Sequence, residues 1–494
     1  MISSAPAAGP ARPAAGDRWG HPRQLWMLLG VTVWLNFAFY GFRAFLAPYI
    51  AQTFYAHLGA AAAQQQADLL TSGFLALMYA TPIIGGYVAD KILGETRALA
   101  MSLWLSVLAL LLMAQPTLFG FELGMALFAL AAGLGIPLTV LVGRNYPADD
   151  PRRDGGYTLF YLAINLGSFV TPFVCADFIG HRFGYPWGFV AAACGMALAA
   201  TLFQWRKHKL EPLLPDGGHL HGPMATAWVL LVIGVLLYPT ALLLAWPIVL
   251  RWAMYVLMGL LVLYFVVSCV RRGDRVQSQR YIALLLLFVA LVVFWAFSLQ
   301  GVTSLNFLAR DHVSAPFDFS WFQSANPLYI LVMAPFLAML WPWLDRSGRD
   351  PSTPRKFGIG LLLVALSYGV LVYAIDHLLG ASGRMPWWPL MLCYLLQTMG
   401  ELVLMPIGYA MVGQLAAPED ASLAMGGWFF GVALAYQLAG WIAIQTIQSP
   451  AAGLAAGVAD YARVYGQLFV WGLGVSAVFL LAAPWIRRLM HGVH

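Results

Sequence analysis

Gly85-Gly86-Tyr87-Val88-Ala89-Asp90-Lys91, followed by Gly94 and Arg97, is a short charged connection between two long apolar runs, 68–89 and 98–115. Its residue types suit a tight turn between two membrane helices. Glycines such as Gly86 and Gly94 let helix backbones approach closely. Asp90 is placed to cap a helix or pair across a bundle interface, while Arg97 stays in water.

The same alternation of apolar run and charged connection fills the chain. Runs long enough to span occur at 25–50, 68–89, 98–115, 118–142, 157–179, 186–205, 225–247, 252–270, 281–308, 321–343, 357–378, 386–413, 421–447 and 461–486. A helix of about 20 residues crosses the roughly 30 Å hydrocarbon core and satisfies its own backbone there. The sequence therefore predicts an all-α integral membrane protein with fourteen spans. Composition agrees: 61% of residues are hydrophobic and 10% charged, against about 25% charged in a soluble domain. These figures exclude a soluble globular fold, disorder, a coiled coil and a fibre. The net charge of +6 is spread over short loops, so it reads as a topology signal and not as nucleic-acid binding.

One set of loops carries Lys91, Arg97, Arg144, Arg152, Arg153, Arg206, Lys207, Lys209, Arg271, Arg272, Arg275, Arg280, Arg346, Arg349, Arg355 and Lys356. The opposite set carries few. The basic loops and both termini are expected in the cytoplasm. Residues 1–24 read as a disordered cytoplasmic tail, with no cleavable signal peptide. Residues 25–208 read as a six-helix bundle and 281–490 as a second. Between them, 209–280 hold a linker and a nearly uncharged two-helix hairpin. Cys175, Cys194, Cys269 and Cys393 lie in apolar runs without metal-ligand spacing, so they read as core residues. Two six-helix halves around a central site are the general plan of alternating-access carriers.

Several further motifs point the same way. Asp150-Pro151-Arg152-Arg153-Asp154-Gly155 precedes Phe160-Tyr161-Leu162-Ala163-Ile164-Asn165-Leu166-Gly167. The first run holds Phe37-Ala38-Phe39-Tyr40-Gly41-Phe42-Arg43-Ala44, and Met78-Tyr79-Ala80-Thr81-Pro82 leads into the loop quoted above. Trp321 to Pro327, Leu396 to Leu402 followed by Pro406, and Met425 to Phe429 complete the set. The loop resembles the signature of the major facilitator superfamily. The whole set resembles the proton-dependent oligopeptide transporter family, in its bacterial form with the inserted hairpin. The resemblance covers about 25–490. It implies the superfamily's 6 + 2 + 6 architecture, a monomer in the bacterial inner membrane, di- and tripeptides as substrates and protons as the coupling ion. It implies no cofactor and no metal.

Glu401 stands mid-span with no Lys or Arg within a helical turn or two. A carboxyl in hydrocarbon must face a cavity or the bundle interior. The resemblance implies that it receives the substrate amine. Asn165 and Asn326 offer amides suited to a peptide backbone, and the family uses both positions as peptide contacts. Tyr40, Tyr79, Tyr161 and Trp428 match positions that line the family's pocket. Asn36 falls where the family binds protons and the peptide carboxylate.

The departures from the family are equally definite. Thr32, Leu35 and Asn36 replace the family's E-x-x-E-R charges, Ala131 to Val142 carries no charge, and Leu299 stands before Gln300 where the family has Glu. Ser72 falls where animal members have histidine. Arg43 remains without its customary partner, and an intramembrane arginine should be paired. Asp68 and Asp311 are the candidates, with Asp68 preferred, forming a pair when the outer gate closes and releasing it on protonation. Arg43 could also take the substrate carboxylate. The expected function is proton-coupled peptide import through a displaced proton site; the alternative is an uncoupled facilitator, or a carrier of another small solute, on the same fold. No H-E-x-x-H or G-x-S-x-G occurs, so an intramembrane enzyme is not expected.

Overall fold

In the computed structural model, residues 20–135, 137–147, 150, 152–210, 222–417, 420–447 and 453–493 are described. Fourteen helices among them are long and apolar enough to cross a membrane. We number them as spans: 1 (Arg23–Arg43), 2 (Ala60–Leu93), 3 (Glu95–Met113), 4 (Leu118–Arg144), 5 (Gly155–Phe183), 6 (Tyr185–Lys209), 7 (Pro223–Ala245), 8 (Pro247–Arg271), 9 (Arg275–His312), 10 (Phe319–Trp341), 11 (Thr353–His377), 12 (Trp388–Met405), 13 (Leu423–Ile444) and 14 (Gly457–Leu489). Strands Val313–Ser314 and Met385–Pro386 pair in parallel between loops.

Helix boundaries follow local chemistry. Gly94, at φ +78°, opens span 3 in a backbone region that side chains disfavour. The Asp274 carboxylate caps span 9 by accepting from the Val276 N–H at 2.9 Å. Packing uses glycine where backbones touch. A side chain at Gly85 would run into the Gly133 backbone of span 4, and one at Gly167 into the Val33 carbonyl of span 1. Of the quoted loop glycines, Gly85 makes this close approach, whereas Gly86 is partly exposed.

Spans 1–6 pack among themselves, as do spans 9–14. The two groups meet chiefly where span 2 lies on span 13 and span 5 on span 10. Spans 7 and 8 are peripheral: only 17% and 11% of their apolar windows are buried, against 71% in span 4. Span 7 rests on span 4, and span 8 on spans 9 and 13, so the hairpin touches both groups. Its exposed Trp, Val and Leu side chains suit a hydrocarbon surround.

The ends of the molecule differ. We call the end with the Lys/Arg-rich loops the basic face. At the opposite face, side chains tie one group to the other. The Asn306 amide donates to the Ala44 carbonyl (3.2 Å) and Ser324 Oγ to the Phe169 carbonyl (2.9 Å). Trp321 Nε1 donates to Asp177 (2.9 Å), and Gln64 Nε2 to the Tyr461 hydroxyl (3.1 Å). His181 stands 3.3 Å from Asp318. At the basic face no hydrogen bond or ion pair joins the two groups among the described residues.

Of the stretch read as a disordered tail, residues 1–19 lie outside the described residues. Gly20 and His21 are anchored: His21 Nδ1 meets the Tyr146 hydroxyl at 2.6 Å, and Arg152 Nη1 donates to the Gly20 carbonyl at 3.1 Å.

Candidate functional site

Between the two groups lies a central cavity of about 100 Å³. Span 1 contributes Tyr40 and Arg43, and span 2 contributes Tyr79. The other side is richer: Trp295, Ser298 and Gly301 from span 9, Gln323 and Asn326 from span 10, Val432 and Tyr436 from span 13. Span 12 presents Tyr394, Gln397, Thr398 and Glu401. Residues three, four and seven apart share one helix face, which is why this set projects together.

The polar floor is organised around Glu401. The Asn326 amide donates to Glu401 Oε2 at 2.8 Å and to Thr398 Oγ1 at 3.0 Å. Thr398 Oγ1 donates in turn to the Tyr394 carbonyl at 2.7 Å. Asn326 thus spends its donors on holding the carboxylate in place, and Glu401 keeps acceptor capacity for a ligand. Across the cavity, the Arg43 guanidinium lies over the Tyr40 and Phe39 rings, 5.1 and 5.9 Å from their centroids. The Tyr79 and Tyr436 rings meet from opposite groups at 5.3 Å. A carboxylate and a guanidinium therefore face one enclosed space from different halves without forming an ion pair. Such a site can hold a small zwitterion by both ends.

A family model, that of the POT family, matches residues 99–459. The chain belongs to the POT family. Relatives span nearly its whole length. The peptide transporter YePEPT of Yersinia enterocolitica is 32% identical, over 87% of this chain and 89% of its own. The dipeptide and tripeptide permease B of Xenorhabdus bovienii is 30% identical, over 97% and 99%. A mutant of peptide transporter POT, solved in complex with alafosfalin, is 30% identical with a TM-score of 0.81, covering 96% of this chain and 97% of that one. The fold is accordingly that of the major facilitator superfamily.

Within this POT-family fold the expected site residues divide. Glu401, Asn326, Tyr40 and Tyr79 line the cavity together with Arg43. Asn165, Tyr161, Asn36 and Trp428 do not. The Asn165 amide donates to the Tyr161 carbonyl (2.9 Å), and the Asn36 amide to the Thr32 carbonyl (2.8 Å), each along its own helix. Trp428 is fully buried against Phe288 and Phe357, so it fills the interior of the second group and forms no wall of this cavity.

The expected gate pairs are also not formed, although the face opposite the basic loops is joined. Asp311 gives both oxygens to its neighbour Arg310, at 2.7 and 2.8 Å. Asp68 is fully buried, with neither oxygen hydrogen-bonded among the described residues. Arg43 makes no ion pair with either, and its Nε is likewise unpartnered.

At the basic face, Asp90 and Arg97 are both exposed. The buried carboxylate is instead Glu95, which accepts from Arg144 at the end of span 4. In the connection before span 5, Asp150 is gripped by Arg152 through its backbone N–H (2.9 Å) and guanidinium (2.8 Å). Those bonds hold the Asp150 carboxyl below its usual range.

Tyr394, Tyr436, Gln323 and Trp295 also line the cavity, although their residue types alone do not single them out. For Tyr394 a signal existed, since it precedes Glu401 by seven residues and so shares its helix face. The others depend on how spans 9, 10 and 13 are rotated.

Proposed function

We propose that this chain imports di- and tripeptides across a bacterial inner membrane by alternating access, as a monomer, with protons as the coupling ion. The basic face and both termini are cytoplasmic. One observation carries the reading: a partly buried carboxylate and a partly buried guanidinium, one from each half of the molecule, face a single cavity. In a membrane interior neither charge is tolerable without a partner. A peptide brings an ammonium for Glu401 and a carboxylate for Arg43, so binding neutralises both and draws the halves together. Asn326 and Gln397, whose amide donors are already engaged, leave their side-chain carbonyl oxygens to accept from the backbone N–H groups between. Tyr40, Tyr79 and Tyr436 form walls that accept varied side chains.

The joined face is then the outer gate, closed here, and the unjoined basic face is the inner one. A proton moving inward gains about 2.3 kcal/mol per 100 mV and about 1.4 kcal/mol per pH unit, enough to concentrate peptide. The neutral residues at Asn36 and Leu299 favour a second reading, a facilitator that has lost coupling.

A competition series tests the substrate reading. Dialanine, N-acetyl-dialanine and dialanine amide would compete with labelled dialanine in proteoliposome counterflow. Loss of competition on blocking either end supports a zwitterion held between Glu401 and Arg43. Equal competition by all three overturns it.

A further inference from the structure

Among the described residues, the Asp68 carboxyl and Arg310 Nη1 are buried at the closed face without a hydrogen-bond partner, and they belong to opposite halves. Asp68 lies about 12 Å along span 2 from its outer end, at 1.5 Å per residue. It is 0% exposed, and neither carboxylate oxygen has a hydrogen bond among the described residues. Gln64, one turn earlier, gives one amide N–H to the Tyr461 hydroxyl at 3.1 Å and lies beside Asp68. From span 9, Arg310 grips Asp311 with Nε and Nη2, while its Nη1 is buried with no acceptor. Geometry brings the two neighbourhoods together: Tyr461, bonded to Gln64 one turn before Asp68, has its ring 5.7 Å from that of His312, two residues after Arg310, and no ion pair joins Asp68 to Arg310.

An unpaired buried carboxylate is stable only when neutral. The closed face, as seen, therefore holds Asp68 in its protonated form. Arg310 keeps the two N–H donors of Nη1 for a further carboxylate. We propose that Asp68 carries the coupling proton and that Arg310 is its exchange partner: Asp68 must be protonated for the outer gate to close over it, and when the proton leaves, the bared carboxylate pairs with Arg310 Nη1. Arg310 keeps Asp311 throughout, so its own charge stays compensated. Nothing is oxidised or reduced. One O–H bond of Asp68 breaks, and the proton passes to water.

The titratable groups around Asp68 are few, and His57 of the segment 56–58 packed on span 2 is exposed. Tyr461 of span 14 faces Asp68 and Asp311, with the His312 ring 5.7 Å from its own. The segments 46–53 and 421–444 packed on span 2 carry no charged side chain. Glu122 of span 4 acts on Tyr55 instead. Among the charged residues of span 8, Arg251 is the one near the outer end. Serving the displaced coupling of the function proposed above, this site differs from the Arg43 pairing expected from sequence.

The test uses full-length protein in proteoliposomes with a trapped pH dye and labelled dialanine. Wild type, Asp68→Asn and Arg310→Gln are each followed in counterflow and in gradient-driven accumulation. The expected result is that both variants retain counterflow but lose at least tenfold in accumulation, with peptide-dependent proton entry abolished. Counterflow certifies folding; if Asp68→Asn lacks it, Arg310→Gln decides. Proton entry and accumulation at wild-type levels in the variants would overturn this site while leaving coupling intact. No accumulation by wild type would overturn coupling itself, and this site with it.

Discussion

Glu401 is fixed by the Asn326 amide, which also donates to Thr398, and keeps acceptor capacity for a ligand. An ammonium meeting such a pre-positioned carboxylate forms a charge-assisted bond worth about 1.5–3 kcal/mol. Glu401→Gln should therefore weaken dialanine affinity about 10- to 100-fold, seen as a raised half-saturation concentration in counterflow, while leaving N-acetylated peptides little affected. Asn326→Ala should act through the same group. Freed from its tether, Glu401 loses orientation, and a smaller rise, about five- to tenfold from one neutral-donor bond of roughly 1–1.5 kcal/mol, is expected in the same assay. At this scale the sequence was informative where a charge had no business in lipid. Glu401 and Arg43 declared themselves by being intramembrane and ionisable. Trp428 did not declare its direction, since an aromatic is as much at home against Phe288 and Phe357 as in a pocket wall.

At the level of helices, glycine decides which backbones can touch. Gly85 of span 2 lies on Gly133 of span 4, where an added methyl group meets backbone that has no rotamer to yield. Overpacking typically costs about 1–3 kcal/mol, so Gly85→Val should lower the detergent-solubilised midpoint of unfolding in a thermal-shift measurement, and Gly86→Ala should not. The Glu95–Arg144 pair ties the start of span 3 to the end of span 4. Glu95 is buried and Arg144 is partly exposed, so its loss falls between the surface value of about 1 kcal/mol and the buried value of about 3 kcal/mol. Glu95→Gln should show that loss in the same measurement. Helix existence was legible because apolar runs of spanning length leave few alternatives. Which face each helix turns inward was not, since these segments are apolar all round. That ambiguity hid Tyr436 and Trp295. It also hid Arg310, which reads as one half of a neighbouring Arg–Asp pair at a span end until its unused Nη1 is placed in the closed face.

Across the whole molecule, the asymmetry between the two faces is the feature that carries function. Hydrogen bonds from spans 1, 2 and 5 to spans 9, 10 and 14 gather at one end, and the hairpin touches both halves from the side. If the closed end must open in each cycle, then fixing it shut must stop transport. Cysteines at Gln64 and Tyr461, in a background with Cys194 and Cys269 replaced by serine, should be bridged by a short cleavable bis-thiol reagent. Counterflow should fall to background on bridging and return on reduction. The fold class and the two-halves plan were readable from run length and loop charge. The state of the gates was not, because it depends on contacts such as Trp321 with Asp177, which are far apart in sequence and individually ordinary.

The most direct test of the central claim is accumulation of labelled dialanine in proteoliposomes with and without an inward proton gradient, wild type beside Glu401→Gln. Wild type is expected to concentrate the peptide only with the gradient, and Glu401→Gln to fail at the same peptide concentration. Equal uptake with and without the gradient, or uptake unchanged by Glu401→Gln, would contradict it.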